Sequence, residues 1–246
     1  AINNHISLRA AAFQTVKWDF FPPQTIEPTQ IAGFNQFYDD LSYTSSKNYG
    51  VALDVQFNSQ LFGGLQGLRR DLDIPIGILD IPEFHEIEHS QFDVYNAYLY
   101  WLFSKRWAMT ASWQYEGFKV HEGLLAERYF FTPAEMTTIS IPLEIKYFDP
   151  SGFFANLGAI YVNQHVQYLD ERSLTILPTQ GDNFVLVNAG LGYRLPKRWG
   201  IIALQGNNLL NKEFHFQDYS FLVSEEIDNP RFIPERSVLA RAIINF

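Results

Sequence analysis

The chain has 246 residues, of which 47% are hydrophobic, 16% aromatic and only 18% charged. A formal net charge of −9 excludes a surface-wide nucleic-acid footprint, which needs basic patches. The lack of cysteine excludes disulfide frameworks, thiolate zinc sites, iron–sulfur clusters and thiol nucleophiles.

Residues 4–13 open with a weak two-residue alternation that predicts a strand. Residues 17–47 read as a long loop. The clearest strand follows: Tyr49, Val51, Leu53, Val55 and Phe57 share one face, and Gly50, Ala52, Asp54 and Gln56 the other. A short turn at 58–60 leads to a strand over 61–70. Its Gly63, Gly64 and Gly67 predict bends or close backbone approaches; a phosphate loop would need a Lys-Ser/Thr pair and a following helix. A second long loop spans 71–91, then a strand over 92–103 and a short turn at 104–106. Trp107 to Glu116 alternates again, with Trp107, Met109, Ala111, Trp113 and Tyr115 on one face. A loop over 121–136 precedes Thr137 to Lys146, where Ile139, Ile141, Leu143 and Ile145 face away from Thr138, Ser140, Glu144 and Lys146. The rest reads as a turn at 149–151, a strand over 152–166, a loop at 169–181, a strand over 183–194, a turn at 196–198, a strand over 200–209, a loop at 211–236 and a last strand over 237–246.

About ten strands of roughly 9–14 residues result, longer than the 5–6 residues usual in soluble sheets. Strands of about 9–11 residues are what a tilted crossing of a bilayer requires. Short turns on one side and long loops on the other fit outer-membrane barrels. The expectation is an all-β, antiparallel transmembrane β-barrel, a single domain over 1–246, located in the bacterial outer membrane and contacting its lipids. A soluble sandwich or lipocalin-like barrel would alternate too. It would, however, bury the polar face, with Arg9, Asp54, Glu116, Glu144, Lys146, Arg194 and Arg241, at a high desolvation cost. Facing a wet lumen, these groups cost little. Aromatic residues near strand ends, among them Tyr49, Phe57, Trp101, Trp107, Tyr115, Tyr147, Phe153, Tyr193 and Trp199, suit two interfacial girdles. Lys105-Arg106 and Lys197-Arg198, beside Trp107 and Trp199, suit anchoring near head groups.

Gln205 to Phe214, then Pro230-Arg231-Phe232 and the final strand to Phe246, resemble the end of a TonB-dependent receptor barrel, although Ile244 stands where that family often has an aromatic. Residues Thr25 to Asp40 and Leu61 to Pro75 bear a looser likeness to barrels that follow a tetratricopeptide domain. The first resemblance implies transport across the outer membrane and implies that Phe246 is the signal read by the barrel-assembly machinery. The receptor plug has no counterpart in the sequence, and such receptors have twenty-two strands. The chain is therefore expected to be either the C-terminal part of a larger barrel or a smaller barrel with a similar ending. A plug domain, a periplasmic domain or a second chain would then be a partner. A small closed barrel would instead serve as a membrane anchor.

His85-Glu86-Ile87-Glu88-His89 matches a zinc-protease helix motif, in which two imidazoles share a face. Within the expected 71–91 loop there is no second helix to supply a third ligand, so no metal site is expected there. Asp170, Glu171, Asp218, His165 and His215 could approach a barrel rim as in outer-membrane proteases, but their spacing does not resemble that family's acidic pairs. Glu225-Glu226-Ile227-Asp228 lacks the alternating spacing of a calcium loop. The chain is expected to be no enzyme, to need no cofactor, and to work through lumen-facing Asp54, Glu116, Glu144, Lys146, Arg194 and Arg241.

Overall fold

The computed structural model describes residues 5–17, 30–35, 40, 43–77, 85–122, 132–170, 175–176, 180–217 and 235–244. Ten long strands make one antiparallel sheet: β1 (Ile6–Val16), β4 (Ser45–Gln56), β5 (Leu61–Gly77), β6 (His85–Trp101), β7 (Trp107–Glu122), β8 (Thr132–Phe148), β9 (Phe153–Asp170), β11 (Gln180–Arg194), β12 (Gly200–Asn207) and β13 (Ser237–Ile244). They pair in that order, each with its neighbour in sequence. Two small additions complete the inventory. A hairpin of β2 (Gln30–Ile31) and β3 (Phe34–Asn35) lies in the β1–β4 connection, and β10 (Thr175–Ile176) pairs with the end of β9. Among the described residues β1 and β13 are the two edges of the sheet, and they are not paired with each other.

The short connections come where the sequence predicts them. Asn58 accepts from the Gln60 amide at 2.8 Å, Ser104 from the Arg106 amide at 3.1 Å, and Asp149 from the Ser151 amide at 2.9 Å. Pro196–Arg198 form a single 3-10 turn. All four turns lie at one end of the sheet, because neighbouring strands run antiparallel.

The strands are longer than their sequence pattern predicts. The expected 71–91 loop is mostly strand, with β5 running on to Gly77 and β6 starting at His85. At both ends the expected 121–136 loop is strand, with β7 running to Glu122 and β8 starting at Thr132, and β9 reaches Asp170. The reason lies in the side-chain pattern. On the lower part of β5 Leu65 is exposed and Gln66 points to the other face. Above Gly67 the pattern inverts: Arg69, Asp71 and Asp73 lie on Leu65's face, while Leu68, Leu72 and Ile74 are buried opposite. The same inversion occurs on β6, where His89 and Gln91 share Tyr95's face and Phe92 is buried. On β7 Lys119 shares Trp113's face while Phe118 and Val120 are buried. Alternation continues, with its sense reversed.

The buried residues therefore gather on one face of the long-loop half. One cluster joins Leu72, Ile74, Phe92, Phe118, Val120, Met136, Val166 and Tyr168; a smaller one joins Phe34, Ala52 and Leu68. This face is called the core face below. Pro142, in the middle of β8, has no N–H to give the ladder. The β7–β8 pairing lapses there, between Ala111↔Leu143 and Gln114↔Ser140.

Candidate functional site

The register puts Asp54, Glu116, Glu144, Lys146, Arg194 and Arg241 on the core face. Asp54 stands opposite Gly64 and Tyr98, Glu116 opposite Val94 and Thr138, Glu144 opposite Thr110 and Gly158, and Arg241 opposite Ala203, which pairs with Gly192. Arg194, paired with Ile201, ends that row at the short-turn side. Arg241 and its neighbours are exposed along the whole of β13, so this edge of the core face is uncovered.

Two polar networks occupy the half of the core face nearer the short turns. In the first, Arg9 donates from Nε to Asp54 at 3.0 Å, and the Tyr98 hydroxyl donates to the same carboxylate. Tyr98 lies two strands away. It reaches across β5 because Gly64 leaves the space: a Cβ there would stand 2.6 Å from the tyrosine oxygen. In the second, Lys146 pairs with Glu144 at 2.9 Å and Asn156 donates to Glu144 at 3.1 Å. Between them run Gln66, Asn96, Gln114 and Ser140, whose hydroxyl donates to Gln114 at 3.1 Å. The result is a wall of neutral and charge-paired hydrogen-bonding groups, suited to line a path for water or a polar solute.

At the long-loop half the core face is filled by the chain's own connections. Phe34, at the end of the β2–β3 hairpin, is 0% exposed and packs on Ala52 and Leu68, with Ala11 and Phe13 beside it. The Arg9 guanidinium lies 5.6 Å from its ring centroid and donates to the Ala32 carbonyl at 3.3 Å. The same cation therefore joins the polar network to the hairpin. Asp40, from the stretch before β4, ion-pairs with Arg70, which is 4% exposed and also donates to Asn48 at 3.2 Å.

A second segment arrives from the other side. Asn208 and Asn211 take positive φ, 47° and 49°, and Asn208 exchanges two 2.9 Å bonds with the backbone of Lys212. This turn sends Phe214 onto Phe184 at 4.2 Å between ring centroids, the His215 amide to Asp182 at 2.9 Å and the Gln217 amide to Gln164 at 2.7 Å. The asparagines of this sequence element thus turn the chain back onto the core face.

The opposite face is apolar and open. Val51 is 58% exposed and Leu65 59%; Ile141, Leu143, Leu157, Leu191 and Ile202 are exposed too. Aromatic rows bound this band. Trp101, Phe103, Trp107, Tyr147 and Phe153 form a chain of ring contacts, 4.8 to 6.3 Å apart, beside the short turns. Tyr95, Tyr115 and Trp113 make a second group nearer the long loops. Eight residues separate Tyr49 from Phe57, Trp107 from Tyr115 and Phe153 from Tyr161, a span of about 26 Å along a strand. At the tilt of about 40° usual for outer-membrane strands, that span rises through about 20 Å, most of an apolar band about 25 Å tall. Lys197 lies 5.9 Å from the Trp199 ring centroid, and Arg106 pairs with Asp149 at 3.3 Å, so basic groups border the short-turn aromatics.

The histidine motif lies in a strand, not in a loop or helix: His85 to His89 is the start of β6. Its backbone pairs with β5, His85 opposite Gly77 and His89 opposite Asp73. Four residues of strand separate the histidines by about 13 Å, against one helical turn in the zinc motif. His89 bonds Asp73 at 2.7 Å. His165 lies exposed on the apolar band's face while His215 bonds the core-face Asp182, so the two are not brought together. Glu171, Asp218, Glu225, Glu226, Asp228, Pro230, Arg231, Phe232 and Phe246, and the side chains of His85, Glu86 and Asp170, lie outside what is described. Among the described residues no group of three His, Asp or Glu converges as for a metal ion.

The arrangement defines an all-β antiparallel sheet whose core face is polar near the short turns and buried near the long loops, and whose opposite face carries an exposed apolar band. Comparison with protein-family models, characterised proteins and solved structures finds no match to this chain.

Proposed function

We propose that this chain forms the wall of a transmembrane β-barrel in a bacterial outer membrane, and that its core face lines a passage for polar solutes which its own connections close at the long-loop end. The observation that carries this reading is the reversal of alternation at one level of successive strands. Below that level the outward side chains are apolar and the core face is polar. Above it the outward face carries charged and polar side chains such as Lys47, Arg69, Asp71 and Lys119, and the core face buries an apolar cluster among hydrogen-bonded polar groups. A strand keeps one face toward one medium, so a change of outward chemistry marks a change of medium, from hydrocarbon to water. The long-loop end is then the outer side.

Lipid does not tolerate unpaired edges, because their backbone groups have no water to bond. β1 runs toward the long-loop end and β13 returns from it, so the two edges are antiparallel. They can pair with each other or receive further strands of a larger barrel. Transport in the manner of TonB-dependent receptors is the function that the sequence resemblance supports, with no catalytic role. Phe34, Asp40 and Gln217 on the core face favour a second reading, in which the interior is permanently filled and the barrel anchors a periplasmic partner.

Single-tryptophan variants retaining Trp113 or Trp101, folded into vesicles of brominated lipid, test the membrane reading. Both tryptophans should be quenched, each from the side of the bilayer on which its aromatic row lies. Unquenched emission at both would reject it. Solute flux through the same vesicles separates passage from anchor.

A further inference from the structure

We infer that the passage takes oxyanions, a carboxylate or phosphate group being held between Arg194 and Arg241 on the short-turn half of the core face. The inference rests on the passage reading above and names its solute class. The other charges on this half of the face are matched: Arg9 pairs with Asp54 at 3.0 Å, and Lys146 with Glu144 at 2.9 Å. Arg194 and Arg241 are both exposed. Among the described residues neither side chain has an ion pair, a hydrogen bond or a ring contact. The chain holds 27 acidic residues against 18 Lys and Arg, so acids to pair with them are not scarce. The fold places none of the described ones beside them.

The register shows why. The row of Arg241 runs through Ala203 and Gly192 to Phe154, and the next row runs from Gln205 through Gly190 to Asn156. Neither row carries a carboxylate. Glu144, the core-face acid beyond Asn156, already holds Lys146 and accepts from Asn156 at 3.1 Å. Asp149, in the turn before β9, bonds Tyr147 at 2.8 Å and Arg106 at 3.3 Å on the other face. Arg194 lies two residues beyond Gly192 on β11, so the arginines stand two strands and two residues apart, about 12 Å between backbones. Two extended side chains span that gap around one small anion. The surface between them is low. Gly190 and Gly192 have no side chain, the Phe154 ring lies on the bare backbone of Gly192 and the Asn156 amide on that of Gly190, and Ala203 adds only a methyl group. Each guanidinium offers five N–H donors, and its planar fork matches two oxygens of a carboxylate or phosphate. Unmatched cations lining a water-filled path inside a low-dielectric wall favour anions over cations and neutral solutes.

The full chain is folded into vesicles of brominated lipid; part is read for tryptophan quenching, and part is extracted in mild detergent and dialysed to equilibrium, at low salt, against labelled inorganic phosphate. Wild type should bind one phosphate saturably, with acetate competing and glucose and choline not. Arg194→Gln combined with Arg241→Gln should weaken binding about tenfold or more, the loss of charge-assisted hydrogen bonds from both forks. Arg241→Lys, which keeps the charge and loses the fork, should fall between wild type and the double variant. Arg106→Gln, which removes an arginine already paired, should bind as wild type does. Absence of saturable binding, undiminished binding by the double variant, an equal loss in Arg106→Gln, or competition by glucose as strong as by acetate overturns the inference. Quenching without phosphate binding rejects the site alone. Phosphate binding without quenching keeps the site and rejects the membrane reading.

Discussion

Phe34 occupies the space that a side chain at position 50 would need: its ring carbons lie 2.7 and 2.8 Å from where a Cβ on Gly50 would stand. The hairpin carrying Phe34 thus docks on bare backbone in β4, and this fixes where the β1–β4 connection enters the core face. Phe34→Ala should cost about 3–5 kcal/mol, as for other fully buried aromatics. Gly50→Ala should cost about 1–3 kcal/mol by forcing the ring off its seat. Because both changes act on one contact, the double variant should be less destabilised than the sum. Urea unfolding of the chain in lipid vesicles measures all three; strict additivity would mean that the ring does not depend on Gly50.

The two faces of β5 should respond oppositely to charge. Leu65→Arg places a cation in the apolar band and should cost about 2–4 kcal/mol if the residue sits near the bilayer midplane. Gln66→Arg, one residue on and facing the polar wall, should cost well under half as much. The same vesicle titration reads both. Equal penalties would show that both faces meet the same medium.

Arg70 and Asp40 are both largely buried, with side chains 4% and 15% exposed. Removing one partner of such a pair leaves the other charged and desolvated, at a cost of about 3–5 kcal/mol. Arg70→Met should fall in that range. Combining it with Asp40→Asn should recover part of the loss, since the orphaned charge is then gone. A double variant no better than Arg70→Met would show that the pair is not coupled.

Asp149 gives a pH signature in a short turn. The Ser151 backbone amide holds its carboxylate down to about 2 from an ordinary 3.8, helped by the Ser151 side chain, the Tyr147 hydroxyl at 2.8 Å and Arg106. A carboxyl with a lower pKa folded than unfolded contributes stability that is present above about 3.8 and is lost as pH falls through about 2. The Asp149 contribution should therefore be flat above pH 4 and decline below it, and Asp149→Asn should lack that decline. Unfolding midpoints collected across this range decide it; identical profiles would remove Asp149 from the acid response.

The flux prediction concerns the polar wall. If the core face lines a passage closed by the hairpin, Phe34→Ala should raise the flux of small polar solutes into vesicles. Arg241→Ala or Arg194→Ala should alter its preference for charged solutes, without a gain of that size. Flux that is absent in wild type and in all three variants would favour the anchor reading.

Much of the architecture was legible in the chain itself. Alternation at period two located all ten long strands, because each residue in a strand must face one side or the other, and Asn58, Ser104 and Asp149 marked turns by bonding backbone two residues on. The polar row from Asp54 to Arg241 was legible for the same reason. Strand lengths were not, because above Gly67 the alternation reverses: a search for outward apolar residues stops at Arg69, although β5 continues to Gly77. The His85–His89 motif shows the same limit, since its chemistry depends on helical spacing and the ladder with β5 makes it a strand. Only the tertiary structure brings Phe34 to Gly50, Tyr98 across Gly64 to Asp54, Asp40 to Arg70 and Gln217 to Gln164. These contacts join residues from 16 to 53 positions apart, across intervals in which local pattern carries no information about which loop folds back onto which strand. Long-range burial decides that, and burial is a property of the folded sheet.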